Sequence, residues 1–231
     1  MAEEEENPFK GTPFEQMFQA FGGAFGGAGG AGAPGAGGMP DLSALIGQMQ
    51  AMMQPHEGSV NWNLAKDVAR RTVAQDGQGA DPTPTERQRS EIADALRLAD
   101  HWLDSATDLP SGVGTVAAWS RAEWIEETIE VWQRLVEPVA EHVVSAMGNA
   151  LPEDAKAMAG PLMGILSQAG GAMFGSQVGQ ALGGLAGEVL TASDIGLPLG
   201  PTGKAALLPL NVAAFAEGLD VGADDVLLYL A

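Results

Sequence analysis

"GGAMFGSQVGQALGGLAGEVL", Gly170 to Leu190, decides how the rest of the chain is read. Glycines recur at Gly171, Gly175, Gly179, Gly183 and Gly187, and no charged residue lies between Lys156 and Glu188. A step of four keeps one slowly winding face of a helix bare, so another backbone can approach it closely. On its own such a helix is poor: the glycines between 170 and 187 cost about 6 kcal/mol relative to alanine. Burial must offset that cost. Ala169, Ala172, Ala181 and Ala186 extend the small-residue surface, while Met173, Phe174, Val178, Leu182 and Leu185 supply bulk for the other faces.

Two environments offer that burial. The uncharged run is long enough to cross a bilayer. Against a span stand Gln168, Gln177 and Gln180 within the run, flanks without clustered Lys or Arg, and no aromatic belt. The reading is therefore a helix buried inside a soluble protein, with the five glycines as its packing surface. A small membrane protein is the weaker alternative.

Working outward, "SVNWNLAKDVARRTVAQ" places Trp62, Ala65, Val68, Ala69 and Val73 at helical spacing, and "DGQGADP" breaks the pattern. Thr83, Pro84 and Glu86 predict the next helix start, followed by a stripe of Ile92, Ala95, Leu96, Ala99, Leu103 and Ala106. "WSRAEW" predicts another: Ser120 as N-cap, Glu123 closing a capping box, and Trp119 with Trp124 as a hydrophobic staple. Trp124, Thr128, Trp132, Leu135 and Val136 continue one face, and Pro138 is expected to kink or end the helix. The tryptophans, Trp102 beside Leu103 included, read as core at helical spacing rather than as a ligand box. Pro152 opens a short helix. Beyond Leu190, "DIGLPL" and "AALLPL" read as short extended segments, and "NVAAFAEGL" as a helix with Gly218 at its C-terminal cap.

Residues 1–58 form a separate regime. "FGGAFGGAGGAGAPGAGG" cannot bury enough surface to order itself, so a disordered, acidic Gly/Ala-rich tail is expected, carrying the short amphipathic pieces "PFEQMFQAF" and "DLSALIGQMQAMMQ". The acidic start is no secretory signal, which points to the cytoplasm. Net charge is −19 with only 11 Lys and Arg, so nucleic acid is excluded as a partner and an anionic membrane surface is disfavoured. There is no cysteine.

Chemistry is sparse. "GPTGK" has Pro198 where a phosphate-binding loop needs glycine, and Ala205 where it needs a hydroxyl, so it reads as a turn. His56, His101 and His142 are the only histidines, and their spacing assembles no metal site. Glu126 with Glu130, and Asp224 with Asp225, read as solvated faces. No catalytic residue and no metal ligand is assigned.

Several stretches together resemble a known family. "ALRLADHWLDSATDLP", "AWSRAEWIEETIEVWQRLVEPVAEHV", the long block from Ala157 to Pro201 and "LDVGADDVLLYLA" resemble the zincin-like metallopeptidase type 2 family of high-GC bacteria. The resemblance covers residues 59–231. It implies a mainly α, bundle-like N-terminal part of a zincin-like fold with a few short strands, and zinc-dependent hydrolysis of peptides by full-length members. Those members are about twice as long, and the helices that bear zinc ligands follow the matched region. The chain as given is therefore expected to be truncated, to hold no cofactor and to be inactive. Peptide substrate belongs to a full-length form. The alternative is a non-catalytic interaction module whose apolar end, Val226 to Leu230, engages another chain.

Overall fold

The computed structural model describes residues 56–75, 80–149, 160–194 and 196–231. The tail expected over most of residues 1–58 and the helix opening at Pro152 lie outside the described residues. Described helices are α1 (Trp62–Gln75), α2 (Glu86–Ala106), α3 (Arg121–Asn149), α4 (Gly160–Glu188), α5 (Pro209–Ala216) and α6 (Ala223–Leu230). Strands β1 (Thr115–Ala118) and β2 (Lys204–Leu207) pair in parallel, Thr115 opposite Lys204 and Ala118 opposite Leu207. The fold is mainly α.

α1 lies along the glycine face of α4. A Cβ built on Gly175 would stand 2.5 Å from the Asn61 carbonyl oxygen. On Gly179 it would meet the Ala65 carbonyl at 2.5 Å and Val68 Cβ at 2.7 Å, and on Gly183 it would meet Thr72 Cβ at 2.5 Å and the Ala69 carbonyl at 2.8 Å. The pairing advances in the same direction on both helices, so they run parallel. Gly171 lies against the His56 imidazole, and its carbonyl accepts the Asn61 N–H at 2.9 Å. Gly187 is buried as well, whereas Ala181 faces solvent. No other residue type leaves room for backbone contact at these points. Among the described residues no helix is long and apolar enough to cross a membrane.

The two strands alternate with period two between separate cores. Ala117, Trp119, Ala206 and Leu208 face a core built on α1, α3 and α4, with Ala69, Val73, Trp124, Ile125, Ile129, Leu182 and Ala186. Val116, Ala118, Ala205 and Leu207 face a smaller core built on α2, α5 and α6, with Ile92, Leu96, Val212 and Val226. A parallel pair needs cover on both faces, and the α3–α4 crossover from β1 to β2 provides one of the two layers.

Several local expectations change. α2 starts at Glu86 rather than near Pro84: Thr85 is the N-cap, and its box closes on Gln88. The reason is local: Thr85 Oγ1 accepts the Gln88 N–H at 3.3 Å and Gln88 Oε1 accepts the Thr85 N–H at 2.9 Å, while upstream the Asp81 carboxylate accepts the Arg121 N–H at 3.0 Å and the Ala122 N–H at 2.9 Å. The α2 stripe is buried only through Leu96, and Leu103, Ala106 and Trp102 are exposed, Trp102 by 54%. α3 passes through Pro138 without ending. The proline sits on an exposed side, where water can serve the carbonyl left without its N–H partner. "DIGLPL" forms turns and bends around an undescribed Ile195, "AALLPL" overlaps β2, and β1 at "TVAA" was not anticipated. Ser120 and Glu123 close the expected box at 2.7 and 3.1 Å, and Gly218, with φ at +81°, follows the end of α5.

Gly175→Ala and Gly179→Ala should each lower the unfolding free energy by about 1–3 kcal/mol, because the added methyl overlaps α1 backbone. Gly184→Ala on the same helix meets nothing within 4 Å and should raise it by about 0.8–1 kcal/mol through helix propensity. Urea titration distinguishes the two classes, and equal shifts at all three positions would contradict the close helix contact.

Candidate functional site

The histidines do not converge. His56 stands against Gly171 with Nδ1 buried and unpartnered, His101 is exposed on α2, and His142 Nδ1 lies 3.0 Å from the Pro138 carbonyl within its own helix. Among the described residues no group of three His, Cys, Asp or Glu side chains is placed to hold a metal ion. The described residues therefore assemble no zinc centre. The carboxylate pairs are also dispersed: Glu126 accepts Lys66 at 3.3 Å and Arg70 at 3.1 Å, while Glu130, Asp224 and Asp225 are exposed. Neither pair has the burial or paired geometry of a general acid and base.

The "GPTGK" turn feeds β2 and closes on protein. The Gly203 carbonyl accepts the N–H groups of Gly114 at 2.8 Å and Thr115 at 3.0 Å, and its φ of +74° requires glycine. Lys204 pairs with Glu127 at 2.9 Å and lies 5.7 Å from the Trp119 ring centroid, so its ammonium is neutralised within the fold. Beside the turn opens a cleft of about 600 Å³, lined in part by Val131, Arg134, Ser193, Thr202, Lys204 and Leu207. It offers hydroxyls and cations but no nucleophile activated by a base.

The most organised polar cluster is buried where α3 begins, and composition and spacing did not flag it. All four N–H groups that open α3 are satisfied by side chains: Ser120 N–H by Glu123, Arg121 and Ala122 N–H by Asp81, and Glu123 N–H by Ser120. The Arg121 side chain, 1% exposed, donates from Nε to Asn211 Oδ1 at 2.7 Å. Asn211 turns its amide to the end of α4, donating to the carbonyls of Ala186 at 2.9 Å and Val189 at 2.5 Å. One amide thus joins α3, α4 and α5. The signal available in sequence was a lone asparagine inside the apolar run "ALLPLNVAAF". The inaccessible guanidinium suits this cluster to holding the fold rather than to meeting substrate. Asn211→Ala should cost about 1–3 kcal/mol in denaturant unfolding, since it removes one hydrogen bond from the buried Arg121 side chain and leaves the Ala186 and Val189 carbonyls without their amide donor. Exposed Asn63→Ala should stay within about 0.5 kcal/mol.

A family model described as "zincin-like metallopeptidase" matches residues 60–231. No curated protein matches the chain. Among solved structures, the chain is similar to a crystal structure described as "a putative hydrolase with a novel fold" from Chloroflexus aurantiacus, with a TM-score of 0.52 and 21% sequence identity. The match covers 74% of this chain and 49% of that one, so the chain spans about half the length of its structural neighbour. At this identity the likeness concerns the fold alone. With the family match running over most of its length, the chain belongs to the zincin-like metallopeptidase family.

Proposed function

We propose that this chain is the scaffold-bearing N-terminal portion of a zinc-dependent peptidase, and that zinc binding and peptide hydrolysis belong to the full-length form. The observation that carries this reading is the family match over residues 60–231. Two others support it: the chain spans 49% of its structural neighbour, and among the described residues no metal-holding group is assembled. The glycine seam, the strand pair and the Asn211 junction then supply a rigid frame on which a catalytic portion is mounted. Such rigidity is what a reacting constellation needs from its support. By itself residues 1–231 neither retain zinc nor cleave peptides.

A second reading, a non-catalytic interaction module on the same fold, is favoured by the exposure of Leu98, Trp102 and Leu103 on α2. Three large apolar side chains within two turns of one helix mark a surface that another polypeptide covers.

The first reading is tested on the purified, tag-free chain after chelation and dialysis against zinc. Elemental analysis should find well below one zinc per chain, and fluorogenic peptide mixtures should remain uncleaved. One zinc per chain, lost on His101→Ala or His142→Ala, would overturn it.

A further inference from the structure

The apolar face of α2 is longer than what covers it. Ile92, Ala95, Leu96, Ala99, Trp102, Leu103 and Ala106 follow one another at helical spacing on a single face. Ile92, Ala95 and Leu96 are buried, whereas every residue from His101 to Ala106 is exposed, Trp102 by 54% and Leu103 by 46%. The residue pattern does not change where burial stops. What changes is the neighbour.

That neighbour is α6. Val226 is buried with Ile92 and Leu96, and Leu227 and Leu230 pack on the same cluster. The two helices begin level with each other: the guanidinium of Arg87, in the first turn of α2, feels the charge of Asp224, in the first turn of α6. They meet again further on, where Leu96 and Leu230 line one cleft. α6 therefore runs along α2 in the same sense. Its 8 residues span about 12 Å, and the 21 residues of α2 about 31 Å. The last turn of α6 stands beside Leu96, and its line leads over Ala99, Trp102, Leu103 and Ala106. An apolar face that directly extends an interface already made suits a helix that prolongs α6. Packing along the same row needs no new crossing angle, and covalent attachment gives the added turns a high effective concentration at the face.

We propose that the second half of α2, from Ala99 to Ala106, seats the portion that follows residue 231 in the full-length form, beginning with a prolongation of α6 by about ten residues. This placement rests on the first reading of function; it joins the catalytic portion to its frame at α2, where β1 also packs.

The test compares residues 1–231 with the chain extended by the coding sequence that follows codon 231. In the longer form the amides of residues 99–106 should exchange hydrogen about tenfold more slowly or better, and iodide should no longer quench the emission that Trp102→Phe removes from the shorter one. Trp102→Ser with Leu103→Ser should leave the urea midpoint of residues 1–231 in place, lower that of the longer form and abolish its slowed exchange. The comparison of unaltered chains stays decisive if that variant fails to fold. A longer form that retains zinc and cleaves peptides, yet exchanges residues 99–106 as fast as residues 1–231 do, overturns the placement alone. Slowed exchange without zinc or cleavage supports the placement and overturns the first reading of function. No in-frame continuation overturns both, and a homodimer of residues 1–231 dissolved by Trp102→Ser assigns the face to a second copy and overturns the placement.

Discussion

The structure depends on the contact between α1 and the bare face of α4. At Gly175, Gly179 and Gly183 the carbonyls or Cβ atoms of α1 lie where a side chain would begin. Helices are ordinarily held 8–10 Å apart by their side chains, and removing those along one row lets backbone meet backbone. Dispersion attraction summed along several turns offsets the poor helix propensity of glycine. The same seam sets the chain direction, because α1 and α4 run parallel, with Asn61, Ala65 and Ala69 matched in order. Once α4 is seated, its C-terminal end is fixed where Asn211 caps its carbonyls and where the chain turns toward β2.

Around that seam the strand pair serves as a partition. Two strands of four residues are too small to be stable alone, and period-two alternation lets each face contribute to a different core. The buried Arg121–Asn211 junction lies at the meeting of α3, α4 and α5. A buried guanidinium is costly to remove from water, so it is tolerated only where hydrogen bonds replace the lost hydration. Both features constrain geometry more than they add gross stability.

Membership of a metallopeptidase family and the absence of a ligand cluster among the described residues are compatible on physical grounds. Zinc in a catalytic site needs three protein ligands within about 2 Å of one point. His56, His101 and His142 sit on a loop, on α2 and on α3, each in a different local setting. Family resemblance fixes how helices pack, while chemistry depends on a few side chains that the shared scaffold does not itself supply.

Sequence alone determined the periodic and local features. Glycine spacing marked the face of α4 that lacks side chains, Ser120 with Glu123 marked the start of α3, and Gly218 marked the end of α5, because each is set by residues within one or two turns. The same logic correctly left "GPTGK" as a turn. Tertiary structure decided what depends on distant partners. Asp81 reaches across to accept the N–H groups that open α3, and Asn211 becomes a junction only when the end of α4 and Arg121 are brought to it. β1 exists only because β2, almost 90 residues away, lies beside it, since an edge of four residues carries too weak a pattern to be read before its partner is known. Trp102 and Leu103 share the helical spacing of core residues, yet periodicity gives a face and not what covers it, so their exposure followed from packing alone.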